Sequence, residues 1–150
     1  MIRFLLFVSL IVALDSCHNC ICAPSDGLRL ATIMFDSTEI DTMIVRKFQK
    51  GSNFSQQIDT VQWDRSKVNF SKHNDTFQMA SWIGSLRLNS QFDYQVFIPA
   101  NNRLFTVAEI NEPQRTDDCS GKVMCVNVIV SVKLNTTTTS ISDDILYLRK

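Results

Sequence analysis

From Leu28 onward the hydrophobic positions recur with a period of two, and no stretch carries the i, i+3, i+4 spacing of an amphipathic helix. Leu28–Phe35 and Thr42–Phe48 are the first predicted strands, and Ile58–Trp63 and Val68–Phe70 are shorter ones. Phe77–Ile83 stops at Gly84, and Ser85–Leu88 alternates after it. Leu104–Ile110 follows. The strongest pattern is Val126–Lys133, where valines 126, 128, 130 and 132 define one buried face and the intervening positions are mixed. About seven short strands with no helix between them predict an all-β, antiparallel sandwich. Parallel strands need long crossovers, usually helical, and the gaps supply none.

The first residues follow a different rule. Met1-Ile-Arg3 carries one positive charge, and Phe4–Leu14 is uncharged. That run is shorter than the roughly 20 residues needed to span a bilayer. It fits the apolar region of a secretory signal peptide, expected over residues 1–16 with cleavage after Ser16. Four N-x-[ST] sequons, at Asn53, Asn69, Asn74 and Asn135, are the expected N-glycosylation sites and agree with that route. Average composition would give about one or two. Residues 17–27 read as a cysteine-containing tail, 28–135 as the sandwich, and 136–150 as a polar tail or the lead-in to a following repeat. The Thr136–Ser140 run reads as an exposed polar turn. No later segment reaches membrane-spanning length, so a secreted product without a membrane-spanning segment is expected.

Composition narrows the partners. Fifteen Lys and Arg balance fifteen Asp and Glu, so nothing favours nucleic acid or an anionic membrane. Cys119 and Cys125 enclose Ser-Gly-Lys-Val-Met, which suits a disulfide across a hairpin turn in an oxidising compartment. Cys17, Cys20 and Cys22 make the count odd when cleavage follows Ser16, leaving one thiol free or paired between chains, whereas cleavage after Cys22 would leave only the Cys119/Cys125 pair. With no second ligand cluster, they read as a disulfide-bearing tail rather than a metal site.

The stretch from Leu28 to Asn135 resembles a single extracellular cadherin repeat. Asp36-Ser-Thr-Glu-Ile-Asp-Thr42-Met-Ile44 is similar to the family's E-N-x-P-x-G-T-x-V segment, with Asp36 in the place of the first glutamate. Gly84-Ser-Leu86-Arg-Leu88 and Phe92-Asp93-Tyr94-Gln95 are similar to G-x-[IL]-x-[LT] and L-D-[RY]-E. Phe105-Thr-Val107 and Val126–Asn135 resemble the closing strands. The resemblance implies a seven-stranded Greek-key sandwich, with Asp36, Asp93 and Gln95 standing where calcium ligands would be. The departures weaken that implication. Gln95 is neutral, the segment after the second strand lacks D-x-D, and Lys133-Leu-Asn135-Thr has no acid where the family has its linker. A hard cation wants several charged oxygens, so tight calcium binding is not expected.

The function expected from this reading is extracellular adhesion or recognition of a protein partner, a second copy included. A sheet face, or the aromatics Phe54, Trp63, Trp82 or Tyr94, would provide the contact; Trp82 and Phe77 read as core. An immunoglobulin-like or fibronectin-like sandwich is the alternative, although the antibody-type Cys…Trp…Cys spacing is absent. A small secreted enzyme or inhibitor is disfavoured. The chain holds no G-x-S-x-G, no H-E-x-x-H and no phosphate loop. His73 stands beside the Asn74 sequon and Asp117-Asp118 reads as a solvated turn, so no catalytic residue and no cofactor are assigned.

Overall fold

A computed structural model describes residues 24–64, 69–73, 76–80, 87–115 and 126–150. The predicted leader, the cysteines, the Asn74 sequon, Trp82 and Asp117-Asp118 lie outside the described residues. The strands are β1 (Arg29–Ile33), β2 (Thr42–Gln49), β3 (Gln57–Asp64), β4 (Asn69–His73), β5 (Thr76–Ala80), β6 (Phe92–Ile98), β7 (Arg103–Asn111), β8 (Gln114–Arg115), β9 (Val126–Asn127), β10 (Ser131–Leu134), β11 (Thr137–Ser140) and β12 (Ile145–Arg149). A 3-10 turn at Pro99–Asn101 joins β6 to β7.

The chain divides into two compact units. In the larger, Ser25–Pro113 with Ile129–Lys150, a six-stranded antiparallel sheet has the order β11-β10-β7-β6-β2-β3. A four-stranded sheet has the order β12-β1-β5-β4. Val45, Val96, Val107 and Val132 from the first sheet and Leu30, Leu146 and Leu148 from the second belong to one buried cluster. Two sheets sharing one apolar core make the unit all-β and consistent with a β-sandwich. In the other unit, Met1–Pro24 with Gln114–Val128, the described residues include the short antiparallel pair β8-β9.

Period-two patterning does place most strands. In β2, Met43 and Val45 are buried while Ile44 and Arg46 are half-buried on the other side. Trp63, opposite Met43, is buried as well. The ladder then breaks: Lys47 pairs with Asp59 but Phe48 with Gln57, leaving Ile58 as an extra, exposed residue. β7 bulges too, between the pairs Asn111–Ser131 and Ala108–Lys133. Glu109 sits there at φ 49°, its carboxylate 2.7 Å from the Lys133 ammonium.

Four expectations are corrected. The described strands number more than seven, and β1 pairs with β12 in parallel, Leu30 beside Leu146 and Thr32 beside Leu148. A parallel pair needs a long crossover, and here the whole intervening chain provides it. The segment 136–150 is therefore no tail: it forms β11 and β12, with Leu146 and Leu148 fully buried. The Val126–Lys133 run is not one strand. It stops at Asn127 and resumes at Ser131, so Ile129 and Val132 are buried while Val126 and Val130 are exposed.

Two short contacts fix the start of β1. Leu28 and Leu88 exchange backbone hydrogen bonds of 2.8 and 3.0 Å. Gly27, at φ +81°, lies so close that a Cβ would come within 2.9 Å of the Arg87 Cβ. At the other end of the strand, Lys150 donates from its backbone to the Ile33 carbonyl, and its ammonium pairs with Glu39 at 2.6 Å. That ammonium, with the Asp36 amide bonded to the same carboxylate, holds Glu39 below the ordinary carboxylate pKa.

Because Leu146 is a core residue of both the parallel pair and the shared cluster, Leu146→Ala should cost about 2–4 kcal/mol in chemical denaturation. A loss under about 0.5 kcal/mol would mean that β12 does not belong to the core.

Candidate functional site

The outward face of the six-stranded sheet can be read row by row from its register. One row runs Gln62, Ile44, Phe97, Leu104 across β3, β2, β6 and β7. The next runs Thr60, Arg46, Gln95, Thr106. Directly paired residues share a face, and alternation sends Val45 and Val96, between these rows, to the core. Leu104 is 47% exposed, and Ile44 and Phe97 are half-buried. The Arg46 guanidinium stands 5.8 Å from the Phe97 ring centroid, a cation–π arrangement that holds the charge at the border of the apolar row.

A third row, Phe48 and Asp93, is closed: each is only 4% exposed. The β2–β3 loop covers it. The Gly51 amide donates to Asp93 Oδ2 at 2.8 Å, and Phe54 packs edge-on against Phe48 with centroids 5.5 Å apart. The loop needs these anchors, because Gly51, Asn53 and Phe54 all take positive φ. For Phe54 that costs about 1–2 kcal/mol, which the ring contact and the amide–carboxylate bond offset.

The same end of the sheet is tied by Glu112. Its Oε2 accepts a very short hydrogen bond from the Ser90 hydroxyl, and its Oε1 accepts the Ser25 amide at 2.9 Å. Lys50 donates to the Ser90 carbonyl at 2.8 Å. Ser25, the β2–β3 loop and the turn before β6 are thus tied together. Burial pushes the Glu112 pKa up, but the Ser90 and Ser25 hydrogen bonds and the Lys50 charge outweigh it and leave the carboxyl below its ordinary 4.5.

The residues proposed from sequence are placed as follows. Asp36 is exposed in the β1–β2 loop, its amide bonded to Glu39 Oε2 and its carbonyl accepting the Glu39 and Ile40 amides. Asp93 and Gln95 are neighbours on the outward side of β6. The donor set does not fit calcium. Asp93 is enclosed and bonded to Gly51, Gln95 brings no charge and pairs across from the cationic Arg46, and Asp36 belongs to a loop built around Glu39. Among the described residues, no three His, Cys, Asp or Glu side chains gather as a metal-binding group. Asn53 and Asn135 are exposed turn residues at φ 49° and 55°, and Asn69 opens β4.

Three of the candidate contact aromatics are built into the protein instead. Trp63 and Tyr94 are buried in the core, and Phe54 is half-buried against Phe48. The Tyr94 hydroxyl accepts the Asn89 amide at 3.0 Å; burial raises its pKa, against the lowering effect of that bond. Arg46, Phe97 and Leu104 are the residues that sequence reading missed. The signal was present: Phe92, Tyr94, Val96 and Ile98 alternate, which puts Phe97 on the opposite side.

Glu112 supplies a pH test. A carboxyl whose pKa is lowered by folding adds stability above its unfolded pKa, and that stability fades as pH falls through the folded value. Glu112→Gln should cost about 1–2 kcal/mol at pH 7, with the difference from wild type shrinking below about pH 5, as read by denaturant melts across pH. A difference that stays constant down to pH 3 would show that the carboxylate charge is not what ties these loops.

Comparison of the chain with known protein families, with curated proteins and with solved structures finds no match, so the functional reading rests on the face itself.

Proposed function

We propose that this chain is an extracellular adhesion or recognition module that docks a protein partner on the open part of its six-stranded sheet. The observation that carries the reading is the contrast between rows. Phe48 and Asp93 are sealed by the β2–β3 loop, whereas Leu104 is exposed and Ile44 and Phe97, with Arg46 over Phe97, are only half-buried. An apolar strip bordered by an arginine and polar residues has the make-up of an interface centre and rim. The leader-like N-terminus and the four sequons support an extracellular setting. No helix among the described residues is long and apolar enough to cross a membrane. The finer form of the reading is a Greek-key, cadherin-type sandwich without calcium coupling, supported by motif order and by the poor fit of Asp36, Asp93 and Gln95 to the ion. On this reading the face serves binding: its polar side chains are Arg46, Gln62, Gln95, Thr60 and Thr106.

Fluorescent secreted protein should bind cells or matrix that display the partner. Arg46→Glu and Phe97→Ser should each weaken that binding at least about tenfold, the loss of one interface anchor. Arg149→Glu, at the exposed end of β12, serves as the control and should not. Equal binding by all three variants would sink the assignment of this face. In parallel, millimolar calcium should leave the Tm unchanged, since a ligand stabilises only as its concentration rivals its Kd. A clear rise would restore the cadherin ligand set.

A further inference from the structure

Asn135 stands at the edge of the open face and belongs to it by hydrogen bonding. Its backbone amide donates to the Thr106 carbonyl at 2.7 Å, and its side-chain Oδ1 accepts the Thr106 amide at 2.9 Å. The asparagine side chain thereby stands in for the next backbone carbonyl of β10 and extends the row Thr60, Arg46, Gln95, Thr106 by one place. Oδ1 is fixed by this bond, whereas Nδ2 makes no hydrogen bond among the described residues. Asn135, Thr136 and Thr137 are all exposed, and together they form a sequon.

From this geometry we propose that the N-linked glycan expected at the Asn135 sequon screens the β7–β10 side of the open face and limits which partners reach Arg46. The inference rests on the extracellular reading above. In the transfer, Nδ2 attacks the anomeric carbon of a polyprenyl-diphosphate-linked oligosaccharide. A C–N bond forms, the C–O bond to diphosphate breaks, the amide loses one proton, and polyprenyl diphosphate leaves. No bond to Oδ1 is made or broken and the product is still an amide, so Oδ1 remains an acceptor for the Thr106 amide after glycosylation. Asn53, the other exposed turn sequon, lies in the loop that seals the Phe48 row, so its glycan would border the opposite end.

The test uses the full chain expressed in a glycosylating host. Thr137→Ala removes the sequon but keeps Asn135 and its hydrogen bonds; Thr137→Ser keeps both. Intact mass before and after peptide N-glycosidase should show one glycan fewer in Thr137→Ala than in wild type or Thr137→Ser. Phenylglyoxal labelling of Arg46, with Arg149 as internal reference, should then be about threefold slower in the glycosylated protein than in Thr137→Ala, Arg46 lying three strand spacings of about 4.8 Å from β10. Secreted protein with Asn135 unmodified overturns the inference alone, as does a glycan that leaves the Arg46 rate unchanged. Retention inside the cell with no sequon used overturns the inference and the extracellular reading together.

Discussion

Register between β2 and β6 is the constraint on which the rest depends. Val45 opposes Val96 in the core, and Arg46 opposes Gln95 on the outside. A slip of one residue would exchange the two pairs, burying a guanidinium and an amide and exposing two valines. Burying an unpaired charge costs several kcal/mol, so the core fixes the order of the outward rows as firmly as it fixes its own packing. The candidate face is in this sense a by-product of core formation: once Met43, Val45, Val96, Phe105 and Val107 are inside, Ile44, Arg46, Phe97, Leu104 and Thr106 have nowhere else to go.

Much of the fold was legible for the same reason. Alternation in Thr42–Phe48, Ile58–Trp63 and Leu104–Ile110 recovers β2, β3 and β7. Two strands escape this reading for separate reasons. β6 alternates as clearly as its neighbours, but its outward residues Asp93 and Gln95 also fit the ligand motif of a calcium-binding repeat, which competes with the strand pattern. β12 alternates only over Leu146 and Leu148 and follows a threonine-rich segment, so local patterning could not show that it closes the smaller sheet against β1. That pairing spans the whole unit, and no local signal encodes it. In Val126–Lys133 the alternation was genuine but misleading, because an irregular stretch at 128–130 changes which residues face inward.

The face was less legible than the fold. An exposed aromatic and a buried one look alike in sequence: Trp63 beside Asp64-Arg65 and Phe54 in a polar loop both look solvent-facing. Yet Trp63 is core, and Phe54 turns back on Phe48. What decides such cases is the partner across the strand or under the loop, which only the register supplies. Conversely, Phe97 lies in an apolar pattern that suggests burial, but its parity opposes that of Val96 and Ile98.

The boundary between the sealed and the open rows has its own physical origin. Covering Phe48 by a loop with three positive-φ residues is not the cheapest solution for apolar area alone, since a flat loop would avoid the strain at Asn53 and Phe54. The loop is drawn to this conformation because Asp93, placed outward by β6, becomes buried and requires a donor, and the Gly51 amide reaches it. An enclosed carboxylate of this kind adds little net stability, but it penalises every loop conformation that leaves it unpaired. Glu112 repeats the device beside it, holding Ser90 and Ser25. Two carboxylates therefore bear on where the loop ends, and where the loop ends leaves Arg46, Phe97 and Leu104 outside its cover.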